Sequence, residues 1–138
     1  MNVVARRREG YTHDVEIEGG HTMVIDEPES AGGANLGPSP TRTLGASLAA
    51  CTAITCEMYA ERKGWDLGQV EVEVEIQYDE NRGTAAGFEV TVRVPEPLDE
   101  DQQRRVLTIA GKCPVHRVIA GETPVKIVDR IECQPPAG

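Results

Sequence analysis

Residues 70–78 read Val-Glu-Val-Glu-Val-Glu-Ile-Gln-Tyr. Val70, Val72, Val74, Ile76 and Tyr78 alternate strictly with Glu71, Glu73, Glu75 and Gln77. Successive side chains of a strand point to opposite faces, so this stretch has one dry face and one acidic face turned to water. Farther on, Phe88, Val90, Val92 and Val94 alternate in the same way with Glu89, Thr91 and Arg93, and the two runs are joined through Asn81, Arg82 and Gly83. A parallel pair would need a crossover of about a dozen residues or more, so these two strands form an antiparallel hairpin.

Upstream of the hairpin, Thr41 to Lys63 reads as a helix, with Ser39 as N-cap, Pro40 at the first helical position and Gly64 just past the end. Its middle (Leu44, Ala46, Leu48, Ala49, Ala50, Ala53, Ile54) is apolar or small nearly all the way round, which predicts burial on most faces and close packing. The segment before it, Glu27 to Pro40, carries Pro28, Gly32, Gly33, Gly37 and Pro38 and reads as a long loop of the kind that often covers a site. Nearer the N-terminus, Val3 to Arg8, Asp14 to Glu18 and His21 to Asp26 read as antiparallel strands, the last two joined by a Gly19-Gly20 turn.

Downstream, Pro95 and Pro97 stop the hairpin, and Asp99, Glu100 and Asp101 put negative charge on the first turn of a second helix running to about Lys112. Cys113-Pro114 opens a further helical turn through Ala120. A last strand is predicted from Val125 to Glu132, followed by a frayed tail from Gln134 to Gly138. Strands that arrive in pairs without helical crossovers give an α+β fold, expected as one domain over residues 1–138.

Composition narrows the function. The 138 residues are 39% hydrophobic and 27% charged, which is globular, and the few aromatics (Trp65, Phe88, Tyr11, Tyr59, Tyr78) leave the core to aliphatic side chains. A net charge of -9, with Arg6, Arg7 and Arg8 as the one basic run, argues against nucleic acid. Met1 to Gly10 is polar and basic and does not read as a signal peptide. The longest uncharged stretch, Thr43 to Cys56, falls short of the ~18 apolar residues that a membrane crossing needs. A cytoplasmic protein away from membranes is the expectation.

In a reducing compartment the four cysteines are core residues, metal ligands or reactive thiols. Cys51, among Ala49, Ala50 and Ala53, reads either as a small core residue, made inert by burial, or as a nucleophile given a neighbouring cation and a path from solvent. Cys113 stands where a helical turn begins, beside Lys112 and close to His116 and Arg117, a setting that favours a reactive thiol, although a capping position filled by chance fits equally. Cys56 lies five residues past Cys51, about 140° round the helix, so those two cannot bridge within it and Cys56 reads as core. Cys133 reads as exposed and incidental. Cys113 and His116 have a spacing that can supply two metal ligands, but His13 and His21 stand alone and no second compact pair accompanies it.

Four segments together resemble the OsmC/Ohr proteins (osmotically inducible protein C and organic hydroperoxide resistance protein). They are Gly37-Pro38-Ser39-Pro40, Leu48 to Ala53 around Cys51, Met58 to Trp65, and Lys112 to Arg117 around Cys113; Asp26-Glu27-Pro28 and Gly32-Gly33 look like the loop of one branch. The resemblance runs along nearly the whole chain. It implies an intertwined homodimer, with antiparallel sheets wrapped around central helices and sites at the subunit interface. It also implies that Cys51 is the peroxidatic cysteine and Cys113 the resolving one.

The activity so implied is a thiol peroxidase that reduces organic hydroperoxides through a Cys51 sulfenate and a Cys51–Cys113 disulfide. That disulfide is reset by an external dithiol, a dihydrolipoyl group in the better-studied relatives, and neither a metal nor an organic cofactor is needed. The alternative is a family member that binds or senses with little turnover. Family members typically carry a glutamate nine or ten residues before the peroxidatic cysteine, paired with an arginine that stabilises the thiolate. Here those positions hold Arg42 and Thr41, and Arg42 is the candidate cation in place of the pair.

Overall fold

The computed structural model describes residues 1–133. In chain order its elements are β1 (Val3–Glu9), β2 (Thr12–Ile17), β3 (His21–Ile25), α1 (Pro40–Lys63), β4 (Glu71–Asp79), β5 (Thr84–Arg93), α2 (Glu100–Ala110) and α3 (Pro114–Ile119). Strands β1, β2 and β3 form one antiparallel sheet and β4 pairs with β5 in a second, so the architecture is mixed α+β. The alternating stretch pairs as its pattern requires, with Val72 opposite Val92, Val74 opposite Val90 and Ile76 opposite Phe88. On the wet face Arg93 reaches Glu73 at 2.8 Å.

Local chemistry sets the ends of α1. The Ser39 side chain accepts from the Arg42 amide, Pro40 occupies the first turn, and Gly64 closes the helix at φ 72°, a left-handed conformation that other residues adopt at a cost. At α2 the Asp99 side chain and the Gln102 side chain each accept from the other's backbone amide, completing a capping box. α1 lies close on the β4–β5 sheet because Gly45 faces it: a Cβ there would sit 2.9 Å from Ile76 Cδ1. Cys56, Ala60, Leu67, Val106 and Ala110 form the buried cluster between α1 and α2.

Two expectations are corrected. α1 is buried along one stripe only (Gly45, Leu48, Thr52, Cys56, Ala60), while Leu44, Ile54 and Met58 on the other side are exposed. The small residues permit close approach, but a single chain supplies neighbours for one side alone. Nor does Val125 to Glu132 form a strand. Residues 125–131 belong to neither sheet, and Val125, Ile127, Val128 and Ile131 are exposed, because a strand is completed by a neighbour's backbone and none among the described residues is placed to offer it. The predicted tail from Gln134 to Gly138 lies outside the described residues.

The long loop leading into α1 is held by Asp26, which is buried. Its carboxylate accepts from the Thr12 hydroxyl (2.7 Å) and from the backbone amides of Glu27 (2.7 Å), Leu36 (3.2 Å) and Ala34 (3.4 Å). The carbonyls of Glu27 and Val24 occupy the places that a Cβ on Gly33 or Gly37 would take, so the loop folds this tightly only with glycine there. The Thr12 hydroxyl, then the three amides, hold the Asp26 carboxyl below its ordinary value of 3.8 against the opposing effect of burial. A depressed folded pKa contributes stability that is full above the unfolded value and is lost as pH falls through the folded one. Thermal denaturation against pH is expected to show the midpoint falling below about pH 4, and Asp26→Asn to lower the midpoint by several degrees at neutral pH while removing part of that acid-side fall.

Candidate functional site

Cys113 owes its position to Pro114. A residue before proline is driven out of helical backbone, and Cys113, at φ −55° and ψ 133°, joins neither α2 nor α3. It becomes the N-cap of α3 instead, fully buried, with Sγ accepting from the His116 amide at 3.4 Å. α3 packs on α1, and this contact brings Cys113 against Cys51, which is half-buried in the middle of α1. All four cysteines are free thiols.

Burial pushes the Cys51 thiol above its ordinary value of 9.0, and the hydrogen bond with Cys113 pushes it the same way. The Val115 backbone amide and the Thr55 hydroxyl act in the opposite direction. Among the described residues no cation takes part in that balance. The amides of Val115 and His116, adjacent in the first turn of α3, therefore each serve one sulfur of the pair.

Cys56 is fully buried on the core side of α1, its thiol directed at the Val106 carbonyl at 3.9 Å. Burial, followed by the charges of Glu57 and Cys113, pushes it up to about 11. Cys133 is exposed, as its place near the tail implies. Arg42 stays in the first turn of α1, exposed, and nine residues separate it from Cys51, about 13.5 Å of helix rise and half a revolution. Within one chain the structure does not bring it to the thiol. Among the described residues no three His, Cys, Asp or Glu side chains come together in a group that could hold a metal ion.

Sequence reading missed the Val115 amide and the Thr55 hydroxyl. Thr55 was within reach of a reading by spacing, since residues four apart share a helix face. The amide was not, because it depends on how α3 docks.

A groove of about 890 Å³ runs between the end of β5 and α2, lined by Val92, Val94, Leu98, Arg104, Val106 and Leu107 among others. A second of about 460 Å³ lies near the start of α1, lined by Tyr11, His13, Val15, Asp26 and Pro40 among others. Neither includes Cys51 or Cys113, and neither gathers the nucleophile and donors that the cysteine pair offers. Among the described residues no helix is long and apolar enough to cross a membrane.

A family model described as OsmC-like protein matches residues 32–128, a span that contains both cysteines and the helices that carry them. No curated protein sequence matches the chain. Among solved structures, a Psychrobacter arcticus protein, provisionally named as an osmotic stress induced and detoxification response protein, is similar with a TM-score of 0.79 and 18% identity, over 86% of this chain and 87% of that one. An OsmC-like protein from Mycoplasma pneumoniae is similar at 0.75 and 17%, over 87% and 86% of the two chains. The organic hydroperoxide resistance protein OhrB of Bacillus subtilis is similar at 0.60 and 22%, over 88% and 92%. At these identities the likeness is one of fold.

Proposed function

The chain belongs to the OsmC-like protein family, and from that premise we propose that it is a thiol peroxidase for organic hydroperoxides, with Cys51 attacking and Cys113 resolving. The observation that carries this reading is the packing of two free thiols from distant parts of the chain against each other, one half-buried and one wholly inside. The Cys51 thiolate attacks one oxygen of the peroxide, the O–O bond breaks, and an alkoxide leaves to be protonated as the alcohol. Cys51 is then a sulfenic acid, and Cys113 condenses with it to give a disulfide and water. An external dithiol, of which a dihydrolipoyl group is the proposed example, reduces the disulfide by exchange.

The same proposal includes a homodimer. The uncovered side of α1 and the exposed Val125, Ile127, Val128 and Ile131 are surfaces that a second copy would cover, and Cys51 lies beside the first of them. An apolar wall next to the thiol would suit the alkyl part of an organic peroxide. The name of the Bacillus neighbour, organic hydroperoxide resistance, agrees with this substrate class.

The test is consumption of cumene hydroperoxide against hydrogen peroxide, with dihydrolipoamide as reductant. Catalytic turnover that favours the organic peroxide is the expected result. Slow and equal consumption of both would favour a second reading, an OsmC-like protein that binds or senses. One observation supports that alternative: the balance of groups around Cys51 leaves its thiol raised, with no cation among the described residues to ionise it.

A further inference from the structure

Two polar side-chain atoms are buried without a hydrogen-bond partner among the described residues: Thr52 Oγ1, next to Cys51 in the chain, and His116 Nδ1, three residues past Cys113. A buried polar atom left unpaired carries a desolvation cost, so such atoms call for a reason. The Thr52 hydroxyl follows Cys51 in the chain, but it is neutral and a poor proton acceptor. An imidazole is different, because it accepts and returns protons near neutral pH and can present either nitrogen as the acceptor.

Resting on the peroxidase reading above, we propose that His116 is a further catalytic residue, the proton acceptor and donor for condensation of Cys113 with the Cys51 sulfenic acid. Cys113 is fully buried, so its thiol proton has no direct route to water. The backbone amide of His116 already touches Cys113 Sγ at 3.4 Å, and Nδ1 is four covalent bonds from that amide nitrogen. The inward nitrogen is without a partner, Cys113 Sγ included, while the residue as a whole is half-buried, so the transfer needs the imidazole to close on the sulfur that its own backbone amide already touches.

The step balances without further reagents. His116 Nδ1 takes the proton from Cys113 Sγ as that sulfur attacks Cys51 Sγ. The S–S bond forms, the Cys51 S–O bond breaks, and the departing hydroxide receives the proton from the imidazolium and leaves as water. Cys113 sulfur is oxidised from thiol to disulfide and the Cys51 sulfenic sulfur is reduced to it, the oxidising equivalent having come from the hydroperoxide. His116 ends the step as it began it, with no net gain or loss of a proton.

The test is single-turnover kinetics with one equivalent of cumene hydroperoxide, following Cys51 sulfenic acid by dimedone trapping and the Cys51–Cys113 disulfide by quenched mass analysis. Wild type is compared with His116→Asn, which keeps an acceptor near the Nδ1 position without its proton affinity, and with His116→Gln as a second replacement should the first not fold. Sulfenic acid is expected to form at the wild-type rate in a variant whose thermal midpoint is preserved. Disulfide formation is expected to slow by about 10²-fold or more, within the range that general acid–base catalysis supplies. A merely structural role would slow both steps together or neither, and disulfide formation at the wild-type rate in a folded variant overturns the proposal. Cys113→Ser separates the two readings: if it too yields no trapped sulfenic acid with peroxide, the peroxidase reading fails and this one falls with it.

Discussion

Replacing Cys51 by serine is expected to reduce peroxide consumption to background, while Cys113→Ser is expected to consume one equivalent per chain in a first phase and, with excess peroxide, a second equivalent more slowly before it stops. A hydroxyl in place of the Cys51 thiol cannot be oxidised to a sulfenic acid, so the first chemical step is lost outright. The Cys113 variant retains that step but has no partner for the sulfenic acid, which persists until excess peroxide carries it to the sulfinic acid. Cys56→Ser is expected to leave turnover unchanged. With its thiol pushed up to about 11, only about one molecule in 10⁴ carries a Cys56 thiolate at pH 7. Stopped-flow consumption of cumene hydroperoxide separates these three outcomes, and turnover surviving in Cys51→Ser would remove this cysteine from the mechanism.

The pH dependence of the first step carries a second piece of information. Because burial and Cys113 hold the Cys51 thiol above 9.0, the rate of attack in a single chain rises about tenfold per pH unit through neutrality and levels only above that value. A plateau below pH 7 would mean that assembly brings a cation to the thiol, and Arg42, remote from Cys51 along its own helix, would then be tested as a residue acting across the interface.

Much of this could be read from the chain because its punctuation is local. Ser39-Pro40 and Gly64 bound α1, and the Val/Glu alternation of 70–78 defines a strand, whatever the rest of the molecule does. Cys113 at the head of α3 follows from Pro114 in the same way. What escaped depends on contacts between distant parts. Asp26 is an ordinary strand-end aspartate in sequence, and its role in holding the loop emerges only when Thr12 and the amides of Glu27, Ala34 and Leu36 converge on it. The meeting of Cys51 with Cys113 was implied by family resemblance alone, since no periodicity relates a helix centre to a helix cap elsewhere. The segment 125–132 has the residues of a strand, but pairing is a property of two backbones.

The proposed dimer leads to the second large effect: Ile54→Glu is expected to convert it into monomers and to abolish turnover with it. Leu44, Ser47, Cys51, Ile54 and Met58 follow one another at helical spacing along one side of α1, opposite the buried stripe. Ile54 and Met58 are 51% and 53% exposed in the single chain, which is a large apolar area to leave in water on a helix already packed on its other face. In a two-fold dimer each substitution enters the interface twice, and an unpaired carboxylate there costs several kcal/mol. At 1.4 kcal/mol per tenfold, the dissociation constant rises by about 10³-fold or more. Leu107→Glu is the control, since Leu107 is 69% exposed on α2, away from this stripe, and its substitution is expected to leave both mass and activity unchanged. Light scattering coupled to gel filtration reads the mass and the peroxide assay reads the activity. An Ile54→Glu protein that stays dimeric and active would place the contact elsewhere, whereas an active wild-type monomer would mean that one chain completes the site unaided.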